Sequence, residues 1–475
     1  MRMTLIVVAA FCLQSGCTPE ESLHARRSAL QAAPPEILPR RSLAVTEAAI
    51  LARFGFGRVM DQLVAQSGVP GLTARDLFQQ WWDTQNPGPG LGRGPHCDDT
   101  VDASGTPLLN DFPYSCRLEG LLAAVDPFVD PENNPEAYLP IGLSNRFDLA
   151  PADGSHCGEH RIVYARRAGI ANLRQRNLVI IEAIMPNPHP QQGLKGCRKL
   201  AEHWAKLSAL DDLEERADEL EALYFAGIPG FPPVIHVDHL GQLGPGQVRT
   251  NQFIQEGVDP GAWSLREFKL RRTCAADGSC SELRFVPVTD KLNPFGPLFA
   301  PGLHARADAF QTAFVAQTAA LAADTLAEID LEVDDAFDTG QSQASGSDEN
   351  RYLVQFGIAP SPLRAALEAE LARLALPLLP EDLVARAQAL SCAGCHRHSN
   401  GQPLGGGLVW PSSLGFTHVT ERETEIVDGS VAFRISPALV SAFLPKRKQV
   451  LEDYLADKLK KPARPTDPIG KRRTH

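Results

Sequence analysis

Short runs of alternating apolar and polar residues, between about residue 140 and residue 295, constrain the fold of this chain most strongly. Each run is rich in β-branched or aromatic residues and is bounded by proline, glycine or aspartate, as half-buried strands are. The runs are 160–165, 178–183, 233–237, 247–253, 263–270 and 283–288. The last two flank Asp277-Gly278, a dipeptide typical of hairpin turns. Together the runs predict an antiparallel sheet or sandwich.

Helical patterns accompany these strands. Apolar residues fall at helical spacing over 44–68, a Leu-, Ala- and Glu-rich stretch covers 198–224, and alanine is dense over 304–329. The predicted fold class is therefore α+β, with a β-rich domain over 44–329 that carries helical insertions.

Composition excludes one class of partner. The chain has 475 residues, 43% hydrophobic and 22% charged, which is ordinary for a globular protein. Its formal net charge is −11, whereas nucleic-acid binding needs a cationic surface. We therefore expect no nucleic-acid partner.

A change in composition predicts a domain boundary. Residues 330–350 are acidic and rich in serine, glycine and glutamine, which is typical of a linker. Beyond it, 351–475 contains three helix candidates, 361–374, 380–390 and 445–459.

The run Cys392-Ala393-Gly394-Cys395-His396 directly follows the second of these helices. Two thiols at this spacing can bond to the two vinyl groups of one haem, and the next histidine is close enough to coordinate its iron. Thiol exchange and zinc binding also use Cys-x-x-Cys, but the first places the pair at the start of a helix and the second needs further thiols. The pentapeptide therefore predicts haem c, attached through Cys392 and Cys395 with His396 as proximal ligand.

Over about 360–460 the order of a helix, Cys392 to His396, a long loop and a closing helix resembles the monohaem c-type cytochrome domain. The resemblance implies a small all-α domain over 351–475 that transfers single electrons. A typical member supplies a methionine as second axial ligand, but no methionine follows Met185 here. His418 is the predicted substitute, and an empty sixth position is the alternative.

The N-terminus predicts export. A charged start, an apolar run and small residues before Cys17 are typical of a signal peptide over 1–16, with Cys17 as lipid anchor and 17–43 as a flexible tether. We expect the protein in the periplasm or cell envelope, with membrane contact only through the N-terminal lipid. Plain secretion with cleavage nearby is the alternative.

The remaining cysteines suit an oxidising compartment. Apart from the signal region and the pentapeptide, six cysteines are left for three bridges. Pairing of neighbours predicts Cys97–Cys116, Cys157–Cys197 and Cys274–Cys280.

The predicted function is electron transfer to or from a redox partner protein or a small-molecule donor or acceptor. A haem enzyme of peroxidase or oxygenase type, or a haemless, disulfide-closed surface-binding lipoprotein, is the alternative. The sequence assigns no catalytic residue: His156-Cys157-Gly158-Glu159-His160 is broken by glycine, and His236-Val237-Asp238-His239 lacks a third metal ligand.

Overall fold

The computed structural model describes residues 36–82, 108–114, 122–242, 244–253, 263–344 and 349–470. The predicted signal peptide, the lipid-anchor Cys17, most of the 17–43 tether and the Cys97–Cys116 pair lie outside the described residues.

An antiparallel sheet of eight strands forms the centre of the described fold, in the order β1-β4-β5-β6-β7-β8-β10, with β9 also paired to β8. Two short hairpins, β2–β3 and β11–β12, stand apart from it. The strands are β1 (Ala44–Val45), β2 (Leu108–Leu109), β3 (Phe112–Pro113), β4 (Tyr138–Arg146), β5 (His156–Arg166), β6 (Asn177–Pro186), β7 (Gln247–Phe253), β8 (Trp263–Cys274), β9 (Cys280–Val288), β10 (Ser342–Ala344), β11 (Val419–Val427) and β12 (Ser430–Ile435). The β-rich, antiparallel α+β prediction is confirmed.

Helices lie around this sheet. Those of the N-terminal half are α1 (Pro39–Ser42), α2 (Ala48–Leu51), α3 (Phe56–Ser67), α4 (Ala74–Gln80), α5 (Ala168–Ala171), α6 (Arg198–Ala209) and α7 (Leu213–Glu221). Those of the C-terminal half are α8 (Ala307–Ala316), α9 (Thr318–Leu321), α10 (Tyr352–Phe356), α11 (Pro362–Arg373), α12 (Pro380–Leu390) and α13 (Leu444–Leu455). No helix in the described part of the chain is both long and apolar enough to cross a membrane.

The two faces of the sheet differ in chemistry. Because side chains alternate along a strand, Ile162 and Tyr164 point to one face and Arg161 and Val163 to the other. The first face packs against the N-terminal helices: Tyr164 donates a hydrogen bond to the carbonyl of Phe54, at the end of α2. The second face carries charged side chains such as Arg161 and Glu182 beside apolar ones such as Val163, and residues of the C-terminal part of the chain line a cavity on it.

The C-terminal region differs from an all-α domain because it contains the hairpin β11–β12. It also shares its core with the sheet: Cys392 and Ala393 belong to the same apolar cluster as the sheet residues, whereas Cys395 belongs to a second cluster built mainly from α8 to α12. The pentapeptide thus lies where the two clusters meet.

The described residues of the predicted linker, 330–344 and 349–350, and of the predicted tether, 36–43, pack against the rest of the protein. Within 330–350, β10 pairs with β8, and Asp338, Gln341 and Asn350 are buried. Within 17–43, Ile37 and Leu43 are buried and residues 39–42 form α1. Composition indicated spacers here because polar residues were expected to face water; their hydrogen bonds are instead made inside the protein.

The strand predicted over 233–237 is absent. Val234 and Ile235 donate their backbone N–H groups to the carbonyls of Leu223 and Tyr224, and a short 3-10 turn follows at Val237–His239. The backbone N–H groups of this segment are therefore hydrogen-bonded to the end of a helix and not to a neighbouring strand.

Two predicted disulfides are present in the structure. Cys157 on β5 is bonded to Cys197 at the start of α6, and Cys274 is bonded to Cys280 across the hairpin of β8 and β9. The sequence separations are 40 and 6 residues.

The two bridges should contribute different amounts to the free energy of unfolding, because they close loops of different length. A bridge stabilises mainly by restricting the unfolded chain, so replacing Cys157 and Cys197 by alanine should lower the free energy of unfolding by about 4 kcal/mol, and the same change at Cys274 and Cys280 by about 2 kcal/mol. Urea unfolding of the two double variants measures the difference. An equal loss from both would contradict the loop-length argument.

Candidate functional site

The Cys392–His396 turn begins where α12 ends. The hydroxyl of Ser391 accepts a hydrogen bond from the Gly394 N–H at 3.1 Å, and the Ser391 carbonyl accepts one from the Cys395 N–H at 2.8 Å. A Cβ at Gly394 would lie 1.6 Å from the carbonyl oxygen of Gln388. Glycine is therefore required there for the turn to fold back on the last turn of the helix.

A strand of the main sheet anchors this turn. Ser342 on β10 accepts a hydrogen bond from the Ala393 N–H through its hydroxyl, at 2.9 Å. Ser342 itself pairs with Leu265 on β8. The segment predicted as a linker thus connects the Cys392–His396 turn to the sheet.

Both cysteines of the turn are buried, and no disulfide joins them. Burial raises the pKa of Cys392 well above its usual range, and the guanidinium of Arg249 only partly opposes this shift. Cys392 is therefore a neutral thiol near pH 7, whereas thiol exchange needs a thiolate.

His396 is oriented by two contacts. Its Nδ1 lies 2.7 Å from the carbonyl oxygen of Phe416, so Nδ1 carries the proton and donates it. Its ring stacks on Trp263 with centroids 4.9 Å apart. Burial lowers the pKa of His396 to about 4, so the imidazole is neutral at pH 7 and carries its lone pair on Nε2.

Phe416, whose carbonyl orients His396, adopts a left-handed backbone conformation with φ of 74°. Such a conformation costs a non-glycine residue about 1 kcal/mol or more. Its buried ring compensates by packing edge-on against Phe253 on β7, with centroids 5.6 Å apart. Sequence reasoning missed this residue, because no pattern predicts a positive φ at phenylalanine.

His418 lies beside the turn and contacts one of its thiols. Its Nε2 is 3.3 Å from Cys395 Sγ, and its Nδ1 is 2.8 Å from the hydroxyl of Ser436. Its ring centroid is 4.6 Å from that of His396. Burial lowers the pKa of His418 well below its usual value.

Arg176 holds the loop that carries Phe416 and His418. It forms a buried ion pair with Glu421, with Nε to Oε1 at 2.6 Å, and donates to the Gly415 carbonyl at 2.7 Å. Arg176 precedes β6, so this pair ties the C-terminal loop to the central sheet.

A cavity of about 100 Å³ adjoins both histidines. His396, His418 and Val419 line it on one side. Its other lining comes from the polar face of the sheet, where Val163 and Ile180 give an apolar floor and Arg161, Glu182 and Arg249 a charged rim.

The charged rim is a ladder of buried ion pairs across neighbouring strands. Arg161 lies opposite Glu182, with Nη1 and Oε1 3.2 Å apart, and Arg249 lies opposite Glu267, with Nη2 and Oε1 2.6 Å apart. Both glutamates are fully buried. Buried charges are tolerated only when they are paired, so this arrangement marks a specialised surface directly under the turn.

The donor types match those of covalent haem attachment, because two thiols and an imidazole lie on one turn. The cavity beside His396 has a volume of about 100 Å³, and neither Cys392 nor Cys395 is among its lining residues.

The other histidine motifs do not assemble a metal centre. In the described residues no three His, Cys, Asp or Glu side chains are placed to hold a metal ion. His236 and His239 lie side by side, but Asp238 pairs with Arg272 at 2.9 Å. His160 stacks on Trp204 under the apolar face of the sheet.

The Arg176–Glu421 pair generates a stability prediction. Replacing Arg176 by methionine leaves a buried carboxylate without its partner, and should lower the free energy of unfolding by about 3–5 kcal/mol. Arg434→Met is the matched control, because Arg434 pairs with Glu423 on the same hairpin but both side chains are about half exposed; we expect a loss below about 1 kcal/mol. Chemical denaturation compares them, and equal losses would refute the role of Arg176 as a clamp.

Comparison with known proteins identifies no relative: no family model, no curated protein and no solved structure matches this chain.

Proposed function

We propose that this protein is an exported haem c protein that transfers single electrons, with haem attached to Cys392 and Cys395 and with His396 as axial ligand. The observation that carries the proposal is the folded state of the pentapeptide. Its two buried thiols and its imidazole share one turn, and the hydrogen bond from His396 Nδ1 to the Phe416 carbonyl places the imidazole lone pair on Nε2.

When bound, the haem would supply a one-electron redox centre. This chain's residues would hold it and control its surroundings. Trp263 and Phe416 restrict the orientation of the His396 ring, and Ser342 connects the turn to the sheet.

The alternatives differ in support. The haemless, disulfide-closed alternative requires a bond between Cys392 and Cys395, which the structure does not contain. The haem-enzyme alternative requires that His418 keep its contacts with Cys395 and Ser436 instead of binding iron. An open sixth position would permit peroxide or oxygen chemistry.

Export, the lipid anchor and the redox partner remain parts of this proposal. A covalent tether retains haem outside the cytoplasm, where a non-covalent haem can be lost. The partner would be a redox protein or a small-molecule electron donor or acceptor.

Covalent attachment is tested by expression in a bacterium that carries the cytochrome c maturation machinery. The wild-type protein should retain haem through denaturation, seen on a haem-stained denaturing gel and in a pyridine haemochrome spectrum. Cys392→Ala with Cys395→Ala should remove all of it. Cys274→Ala with Cys280→Ala is the matched control and should keep haem, because those sulfurs are bonded to each other on a hairpin. A colourless wild-type protein, or haem retained covalently without Cys392 and Cys395, refutes the proposal.

The second axial ligand is tested on the same preparation. If His418 coordinates iron, the ferric spectrum is low-spin and His418→Ala converts it to high-spin. His398→Ala is the control, because His398 lies two residues from His396 and is too close to reach the opposite face of the haem. A wild-type protein that is already high-spin and responds to peroxide would instead favour the enzyme alternative.

A further inference from the structure

A cavity larger than the one beside His396 lies on the same face of the sheet. Its volume is about 320 Å³, within the range of roughly 300–1,000 Å³ that is common for small-molecule sites. Arg161 and Arg249 line both cavities, and each is ion-paired with a buried glutamate. Lys291 and Asp335 also line the larger cavity and form no ion pair within the described residues. This cavity therefore offers an ammonium group and a carboxylate to an occupant.

A second lysine meets Lys291 at the edge of this cavity. Lys269, on β8, donates from Nζ to the carbonyl of Pro245 at 2.8 Å, and Lys291, just beyond β9, donates to the same oxygen at 3.0 Å. The two nitrogens are therefore at most 5.8 Å apart, and Pro245 itself lines the cavity. In the described chain both Nζ atoms contact backbone carbonyls and not carboxylates. Two like charges this close, with no counter-ion between them, disfavour the state in which both lysines are protonated.

The surroundings of Lys269 fit a neutral amine better than an ammonium group. Its methylene stem packs against Gly241, where a Cβ would lie 2.5 Å from Lys269 Cδ. Its Nζ has two acceptors in the described chain, the carbonyls of Pro245 and Gly246, both at 2.8 Å. A neutral amine donates one N–H to each of them and keeps its lone pair free, whereas an ammonium group has a third N–H to satisfy.

The charges around Lys269 agree with this geometry. Burial, and after it the ammonium group of Lys291, lower the pKa of Lys269 to about 7, and the carboxylates of Glu267, Glu159 and Glu182 oppose this shift only in part. Roughly half of Lys269 is therefore neutral at pH 7, against about one part in 2,500 for an ordinary lysine. A desolvated lysine beside a second cation is an activated nucleophile toward carbonyl carbon.

We propose that Lys269 forms an imine with a 2-oxo acid whose carboxylate pairs with Lys291. The amine nitrogen bonds to the 2-oxo carbon, and the carbonyl oxygen leaves as water with the two amine hydrogens. A carboxylate bonded directly to the reacting carbon suits two nitrogens at most 5.8 Å apart, because its hydrogen bond to Lys291 takes up about 2.8 Å of that separation. The rest of the acid would extend into the cavity. The proposal does not depend on haem at Cys392 and Cys395, because every group it uses belongs to the protein.

Reductive trapping tests the imine. The purified full-length protein is incubated at pH 7 with pyruvate and sodium cyanoborohydride, which reduces an imine to a stable amine, and peptide mass spectrometry locates the adduct. Lys269 should be labelled at least roughly tenfold faster than Lys206, which is about half exposed but pairs with Glu219 at 2.7 Å. No adduct on Lys269, or labelling no faster than that of Lys206, overturns the proposal.

The Lys291→Met variant tests the contact with the carboxylate. Methyl pyruvate is the uncharged probe, because it keeps the reacting carbonyl and lacks the carboxylate. Both probes react with the same amine, so the ratio of their labelling rates at Lys269 is independent of how much of that amine is neutral. The ratio of pyruvate to methyl pyruvate should fall roughly tenfold in Lys291→Met and stay unchanged in the matched control Lys206→Met. An unchanged ratio in Lys291→Met, or an equal fall in both variants, overturns the assignment.

Discussion

The ion pairs buried on one face of the main sheet are the constraint on which the rest of the structure depends. Glu182 and Glu267 are fully buried, and each is compensated by an arginine on a neighbouring strand. Such a surface is stable only if strand register brings opposite charges together, since a shift of one residue would turn every charge to the apolar face. The register of β5 to β8 is therefore specified by charge as well as by the hydrophobic pattern.

The Cys392–His396 turn derives its geometry from distant parts of the chain. Ser342 anchors its backbone, Trp263 stacks on its histidine, and Arg176 holds the loop whose Phe416 carbonyl sets the tautomer of His396. These contacts converge where the two apolar clusters meet. The turn is thus part of the core of the molecule and not a module attached beside it, which is the main difference from a separate cytochrome domain.

Local sequence patterns predicted the helices and strands whose backbone hydrogen bonds follow a regular repeat along the chain. The strand over 247–253 and the helix over 380–390 have the predicted bounds, since alternation and helical spacing are properties of consecutive residues. These patterns gave wrong predictions where residues distant in the sequence supply the hydrogen-bond partners. Ile235 bonds to the end of a helix, and Asn350, in the predicted linker, donates to Asn293 at 3.1 Å in the interior. Composition shows that a residue is polar, but it does not show whether the folded protein places a hydrogen-bond partner beside it in the interior.

By itself the sequence determined the spacing of Cys392, Cys395 and His396, because the reach of two thiols and an imidazole on one turn is set by covalent geometry. It also predicted an antiparallel sheet or sandwich and, by pairing neighbouring cysteines, the two bridges Cys157–Cys197 and Cys274–Cys280 that the structure contains. Only the tertiary structure decided that the two thiols are buried, that Phe416 orients His396, that His418 contacts Cys395, and that a larger cavity shares Arg161 and Arg249 with the cavity beside His396. Each of these depends on contacts between residues far apart in the chain, for which no local pattern exists.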